Sequence, residues 1–381
     1  MIFVFSYLVK NDIEQLTMKK QITLIVALCL FDGVSWSQIE EFTPQETAYR
    51  DSIAALNLEN EAIANSQTAY NEGIASFNSE DYKKALDYFK KSISFDPNFT
   101  AAYYNKGVCE NEIGKFKDAQ NTFTTLLSMD RSYSKAYFQR ARAFQGENDY
   151  VNAERDYEKA ITIDPRNPKA YYNYGTLRFL QQDYKGAQTY FTKTIDLDQN
   201  FAFAYNDRGS CYRMMGEYAK AISDYQEAIK RNPKMVFALN NIGTTKRKMK
   251  DYAGAIAAFN QAINLDGNFF MAYNNRGAVQ LDQNKTDDAR RDFEKALSIQ
   301  NDYAPANSNL SALSFKLKEY QKALDYANKA ILKDKEYANA YVNRASAKEM
   351  LRDMIGACED WHKAGELGAQ QGQDYYSANC Q

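Results

Sequence analysis

The stretch 170-AYYNYGTLRFLQQDYKGAQTYFTKTI-195 decides how the rest of the chain is read, because its spacing of small and aromatic residues returns every 34 residues from Ser66 to Gln371. Nine units share this register without an insertion, starting at Ser66, Thr100, Ser134, Pro168, Ala202, Val236, Phe270, Ala304 and Ala338. With the first residue of each unit as position 1, position 8 is Gly73, Gly107, Ala141, Gly175, Gly209, Gly243, Gly277, Ser311 and Ala345. Position 20 is alanine in all nine units, and position 24 is aromatic in every unit except that of Ala327. Position 17 adds Tyr82, Phe116, Tyr150, Tyr184, Tyr218, Tyr252 and Tyr320, while Pro97, Pro165 and Pro233 fall at position 32.

This spacing predicts two amphipathic helices per unit, folded into an antiparallel hairpin that buries its remaining apolar face on the next hairpin. Small residues at positions 8 and 20 predict the close contact between the two helices, and the aromatic at 24 fills the adjoining gap between units. Proline at 32 ends the second helix before the next unit begins. Because these aromatic stripes recur at helical spacing, they are read as packing and assigned no chemistry.

The pattern resembles the tetratricopeptide repeat family over Ser66 to about Gln371. The resemblance implies an all-α fold, a right-handed α-α superhelix of nine helix-turn-helix repeats, acting as a non-catalytic scaffold for protein partners. Nine units of 34 residues occupy 306 of the 381 residues, which leaves no room for a catalytic domain. Charged residues make up 25% of the chain with a net charge of −2, giving no overall pull toward nucleic acid or anionic membrane. The single histidine, His362, lacks a cysteine or carboxylate partner at metal-ligand spacing and reads as a surface residue; no metal and no cofactor are expected.

The ends read differently from the repeats. Residues 1–37 have the form of a leader: Lys19 and Lys20 precede the apolar run Ile22 to Phe31, with Ser35 and Ser37 at the −3 and −1 places of a cleavage site. The expectation is a true start at Met18, a mature chain from Gln38, no integral membrane segment after cleavage, and export to the periplasm or beyond the cell. Thr43-Pro44-Gln45-Glu46 has the form of a capping box, so residues 38–65 are expected to carry a helix from there into the 50s that covers the exposed face of the first repeat. Residues 372–381 form a C-terminal cap in which Tyr375 and Tyr376 can pack over the last aromatic. Cys109 and Cys211 lie three repeats apart, too far to bridge, whereas Cys358 and Cys380 both belong to the C-terminal end. In an oxidising compartment they are expected to form a disulfide that pins the tail, the alternative being two unrelated cysteines.

Two columns within the repeats carry more information. Position 7 is arginine at Arg140, Arg208, Arg276 and Arg344, in the same four repeats where position 23 is aspartate at Asp156, Asp224, Asp292 and Asp360. Elsewhere both are absent together, which predicts a partly buried ion pair across the hairpin with a structural role. Position 6 reads Asn71, Asn105, Gln139, Asn173, Asp207, Asn241, Asn275, Asn309 and Asn343. It neighbours positions that in the resembled family face the concave groove, and it is similar to the asparagine ladder of the O-linked N-acetylglucosamine transferase family. A row of carboxamides there can pair with the backbone of an extended peptide; asparagine at this place can equally satisfy neighbouring backbone. Position 5 runs from aromatic at Tyr70, Tyr104, Phe138 and Tyr172 to polar at Asn206, Asn240, Asn274 and Ser308. Arg213 and Arg247 stand at position 12 in the middle repeats, matching a ligand with apolar anchors followed by acidic residues, or simply capping helix ends as in the run Lys246 to Lys250.

The reading is therefore an exported scaffold that holds a protein or peptide in its groove, the partner being unnamed by the sequence. Its alternatives are a structural subunit of an envelope complex packing through its convex face, and a regulatory repeat region of an enzyme system. A homo-oligomer is compatible with all three.

Overall fold

The structure, a computed structural model, describes residues 44–380, and within these it contains nineteen helices and no strand. The leader over 1–37, the mature start at Gln38 and the capping box at Thr43 lie at or beyond the edge of the described residues. Helix α1 spans Pro44–Asn78 and α2 Tyr82–Phe95. Seven hairpins follow: α3 Thr100–Glu112 with α4 Phe116–Met129, α5 Ser134–Gly146 with α6 Tyr150–Ile163, and α7 Pro168–Leu180 with α8 Tyr184–Leu197. Next come α9 Ala202–Met214 with α10 Tyr218–Arg231, α11 Val236–Lys248 with α12 Tyr252–Leu265, α13 Phe270–Asp282 with α14 Thr286–Ile299, and α15 Ala304–Lys316 with α16 Tyr320–Lys333. Helices α17 Ala338–Met350, α18 Met354–Glu366 and α19 Gln370–Asn379 close the chain. The molecule is an all-α solenoid of nine consecutive helix-turn-helix repeats.

Each hairpin is set by the same few residues. A Cβ added at Gly243 would lie 2.5 Å from Phe259 Cε1, and one at Gly107 would lie 2.5 Å from Phe123 Cζ. The close approach at position 8 is thus onto the position 24 ring of its own hairpin. Position 8 also meets position 20 as expected, a Cβ at Gly209 lying 3.1 Å from the Ala221 carbonyl oxygen and Ser311 Oγ donating to that of Ala323 at 2.7 Å, and the rings at 24 pack on the next repeat, Phe89 with Cys109 and Phe191 with Cys211; the contact of 8 with 24 is added to these. Phe89, Phe123, Phe191, Phe259 and Phe293 are fully buried, each contributing about 1.5–3 kcal/mol of burial. The turn inside each repeat places position 15 in the left-handed region nine times, at Glu80, Gly114, Asn148, Gln182, Gly216, Lys250, Asn284, Lys318 and Arg352, although only two of these are glycine. Between repeats, Asp96, Asp130, Asp164, Asp198, Asp266 and Asp334 each accept a hydrogen bond from the N–H two residues on, a side-chain turn that aims the chain into the next first helix.

The N-terminal end departs from the sequence reading, whereas the C-terminal cap packs its tyrosine over the last aromatic as expected. The helix expected to stop in the 50s and fold over repeat one instead runs on unbroken to Asn78, so it is also that repeat's first helix. No glycine or proline interrupts residues 45–72, so nothing lets the chain turn back. Its leading half extends past the hairpin with Leu56, Leu58 and Ile63 exposed at 48%, 68% and 51%. At the other end the tail is itself a helix: α19 packs against α18, with the ring of Tyr375 5.5 Å from that of Trp361.

Candidate functional site

First helices approach the first helices of neighbouring repeats, whereas no comparable contact joins one second helix to another. The first helices therefore line the inner wall of the solenoid. Along each of them positions 2, 6, 9 and 13 fall on one stripe, being separated by four, three and four residues. On α9 the stripe is Phe203, Asp207, Ser210 and Met214; on α11 it is Phe237, Asn241, Thr244 and Lys248. Phe203 and Phe237 are 55% and 54% exposed, and Leu180 and Met214 at position 13 are also exposed. Sequence reasoning passed over these four side chains, because apolar residues in a repeat are read first as core; the signal for Phe203 and Phe237 was an aromatic at position 2, where repeats three and four carry Lys135 and Lys169.

The position 6 amides point along the wall and bond to position 5 of the preceding repeat. Asn105 Nδ2 donates to Tyr70 Oη at 2.9 Å, Asn241 Nδ2 to Asn206 Oδ1 at 3.0 Å, Asn275 Nδ2 to Asn240 Oδ1 at 2.9 Å and Asn309 Nδ2 to Asn274 Oδ1 at 2.8 Å. Asn343 Nδ2 donates to Ser308 Oγ at 2.8 Å, and in repeat five the polarity reverses, Tyr172 Oη donating to Asp207 Oδ2 at 2.6 Å. Asn173 follows Phe138, which offers no acceptor, and turns back to the Lys169 carbonyl at 2.8 Å. Asn71 belongs to the first repeat and accepts from Gln67 Nε2 at 3.0 Å. The ladder is thus a set of staples between repeats. In Asn241, Asn275 and Asn309 the staple engages one of two amide hydrogens.

Tyr70, Tyr104, Phe138 and Tyr172 are half-buried rather than free-standing. Tyr70 packs 4.8 Å from the ring of Phe99, Tyr104 5.6 Å from Tyr133, Phe138 6.2 Å from Tyr157 and Tyr172 4.9 Å from Phe201. Burial raises the hydroxyl pKa of Tyr104 and of Tyr172, the neighbouring Asp207 adding to it in the latter. Of the basic residues, Arg247 makes a two-pronged bond to Asp282 of the next repeat at 2.7 and 3.1 Å, and Arg213 Nε donates to Tyr225 Oη at 3.4 Å. Lys246 pairs with Asp251 at 3.3 Å.

Away from the wall, Arg140, Arg208, Arg276 and Arg344 each grip Asp156, Asp224, Asp292 and Asp360 with two hydrogen bonds of 2.6–2.9 Å. Each also reaches back to position 25 of the preceding repeat, at Thr124, Thr192, Asn260 and Asn328 respectively. The other repeats fill the same place with matched partners: Tyr174 stacks on Tyr190 at 4.1 Å, and Lys106 bonds Thr122 and Glu110. Cys358 and Cys380 are joined by a disulfide with a Cα–Cα distance of 5.7 Å, which ties α19 to α18. Cys109 and Cys211 are free and buried in separate cores, where burial pushes each thiol up to about 12. His362 lies beside Glu366 and the ring of Tyr376. Among the described residues no cluster of three metal-ligating side chains occurs, and no helix is long and apolar enough to cross a membrane.

Family models described as tetratricopeptide repeat match residues 66–99, 134–167, 156–189, 202–235 and 274–341, and one described as TPR repeat matches 243–284. Comparison with curated proteins finds no match. Among solved structures, a tetratricopeptide repeat protein from Parabacteroides merdae is 20% identical with a TM-score of 0.57, covering 66% of this chain and 100% of that one. The Cut9–Hcn1 hetero-tetramer of the APC/C gives 15% identity and a TM-score of 0.52, covering 83% of this chain and 76% of that one. At these identities the likeness is one of fold. The family models together span more than half of the chain on the register its own glycines and alanines define, and the chain belongs to the tetratricopeptide repeat family.

Proposed function

We propose that this scaffold captures an extended peptide segment of a partner protein on the inner wall, centred on repeats four to six. The observation that carries the reading is the pair Phe203 and Phe237, each more than half exposed and presented one repeat apart by equivalent positions of α9 and α11. Large apolar side chains held out from a rigid wall serve as anchors, and those beside them, Leu180 and Met214, widen the apolar strip. The amides of Asn241 and Asn275 contribute one free hydrogen each, so they align a peptide backbone while the anchors supply most of the affinity. Family membership supports protein binding in general and catalysis in nothing. The disulfide at Cys358–Cys380 supports placement in an oxidising compartment outside the cytosol, and N-terminal sequencing of exported protein beginning at Gln38 checks it.

The test compares crosslinked partners of the wild type with those of Phe203→Ser/Phe237→Ser and of Val151→Ser/Leu332→Ser, the latter pair being exposed on second helices. Loss of a partner from the first variant alone is the expected result. Equal capture by both variants and the wild type places binding elsewhere and refutes the reading.

A further inference from the structure

Between the first helices of repeats four and five lies a cavity of about 190 Å³, lined by Thr176, Phe179, Phe191, Asp207 and Ser210. Its apolar lining is Phe179 and the buried ring of Phe191, and its polar side chains are two hydroxyls and one carboxylate. Asp207 is the one carboxylate in the position 6 column. Its Oδ2 accepts from Tyr172 Oη at 2.6 Å and its Oδ1 from Asn206 Nδ2 at 2.9 Å, leaving acceptor capacity on both oxygens.

The four buried aspartates, Asp156, Asp224, Asp292 and Asp360, each hold an arginine; Asp207, partly buried, holds no cation. Its neighbour in sequence, Arg208, turns away onto Asp224. Burial raises the pKa of the Asp207 carboxyl, and two neutral donors only partly offset this. A charge drawn out of water without a counter-charge costs stability, and a cation delivered by a ligand recovers that cost. Neutral or acidic ligand groups recover nothing, so the site discriminates by sign.

We propose that this cavity is a specificity pocket for one lysine or arginine side chain of the bound peptide, its cationic head on Asp207 and its apolar stem against Phe179 and Phe191. Such side chains bury their methylene stems while presenting the charge at the tip, which matches an apolar shaft with a carboxylate at its wall. The proposal rests on the groove reading above and narrows it: the partner segment carries a basic residue between the side chains seated by Leu180 and Phe203.

Asp207→Asn restores the amide that most other repeats carry at this position, so the variant keeps the fold and removes only the charge. A second variant, Ser210→Lys, places a cation one helical turn from Asp207 and fills the pocket from within. Fluorescein-labelled octapeptide pools, end-blocked and fixed at one central residue as lysine, arginine, norleucine or glutamate, are titrated against all three proteins by anisotropy. The expected result is a preference of about tenfold or more for lysine and arginine over norleucine on the wild type, the size of one charge-assisted hydrogen bond. Both variants lose that preference while norleucine pools bind as before. Binding of the pools without a cation preference, or a preference that survives in Asp207→Asn, overturns the pocket and leaves the groove standing. Failure of every pool to bind the wild type overturns both.

Discussion

The ion pair of repeat seven offers the sharpest perturbation, because the same chain shows what replaces it. Arg276 holds Asp292 at 2.7 and 2.6 Å, with side chains only 20% and 8% exposed, and its remaining Nη1 reaches Asn260 of the preceding repeat at 2.6 Å. Hydrogen bonding to Asp292 raises the Arg276 pKa, so the guanidinium is firmly charged. Arg276→Ile strands a buried carboxylate, a loss of about 3 kcal/mol or more. Asp292→Ala leaves the more exposed arginine, which keeps Asn260 and part of its hydration, at about 1–2 kcal/mol. The double variant reproduces Ile242 and Ala258, which fill this place in repeat six, and is expected to be less damaged than Arg276→Ile alone. The coupling between the two sites is then about 2 kcal/mol. A solenoid this long does not unfold as one unit, so the quantity to read is native-state amide exchange, helix by helix. Arg276→Ile should speed exchange about a hundredfold in α13 and α14, with a smaller effect in α12 through Asn260, and the double variant should recover most of it. Coupling below about 0.5 kcal/mol, or a loss of protection spread evenly over all repeats, would refute the assignment of this pair as a local staple.

Three further outcomes follow from the same geometry. Lys250 and Lys318 sit at φ of 61° and 63°, so Lys250→Gly and Lys318→Gly should each raise thermal stability by about 0.5–1 kcal/mol, whereas Gly216→Ala, at φ 80°, should lower it by about as much. Reducing the disulfide, or Cys358→Ser, removes a cross-link over 22 residues worth roughly 3 kcal/mol and frees α19 alone, so the buried indole of Trp361 should red-shift in emission while exchange in α1 to α15 stays unchanged. Asp207 titrates against the usual sense for a carboxylate: its folded pKa is raised above the unfolded value of about 3.9, so the stability it permits is fully present below that value and is lost as pH rises through the folded pKa. Asp207→Asn should therefore melt above the wild type at pH 7 and converge with it toward pH 4; a gap that widens on acidification contradicts the assigned burial.

What the sequence made legible is what a column comparison can see. Small residues at positions 8 and 20, and arginine at 7 appearing only with aspartate at 23, are correlations inside one unit, and both are contacts in the structure; that the ring at 24 also lies against position 8 was not read from the columns. Contacts that cross a unit boundary stayed hidden. Thr124, Thr192, Asn260 and Asn328 occupy position 25 in the units before each arginine, so their correlation lies one row up. The amide staples are displaced by 35 residues, one more than the repeat, so aligned columns set position 6 beside position 6 when its physical partner is position 5 of the row above. The break in that pattern was nevertheless written in the chain: Asn173 follows Phe138, which has no polar side-chain atom, and bonds only back to its own helix, whereas Asn105, which also reaches the Ala101 carbonyl, keeps its bond to Tyr70. The displaced register also bears on which groups of the proposed binding wall remain for a ligand. A position 6 amide committed to holding two repeats at a fixed distance is a poor place from which to draw binding energy, since pulling its hydrogen toward a peptide loosens the solenoid itself. Where position 5 is tyrosine the ring covers the core and the staple together; where it becomes asparagine, in repeats five to seven, two short amides make the staple. It is at the first two of those repeats, five and six, that Phe203 and Phe237 stand exposed at position 2. Binding strength on the proposed wall comes best from side chains whose hydrogen bonds do not join repeats, and Phe203 and Phe237 meet that condition where the amides do not; Asp207 is itself held by Tyr172 of the preceding repeat, and what it offers a ligand is the acceptor capacity left on its two oxygens.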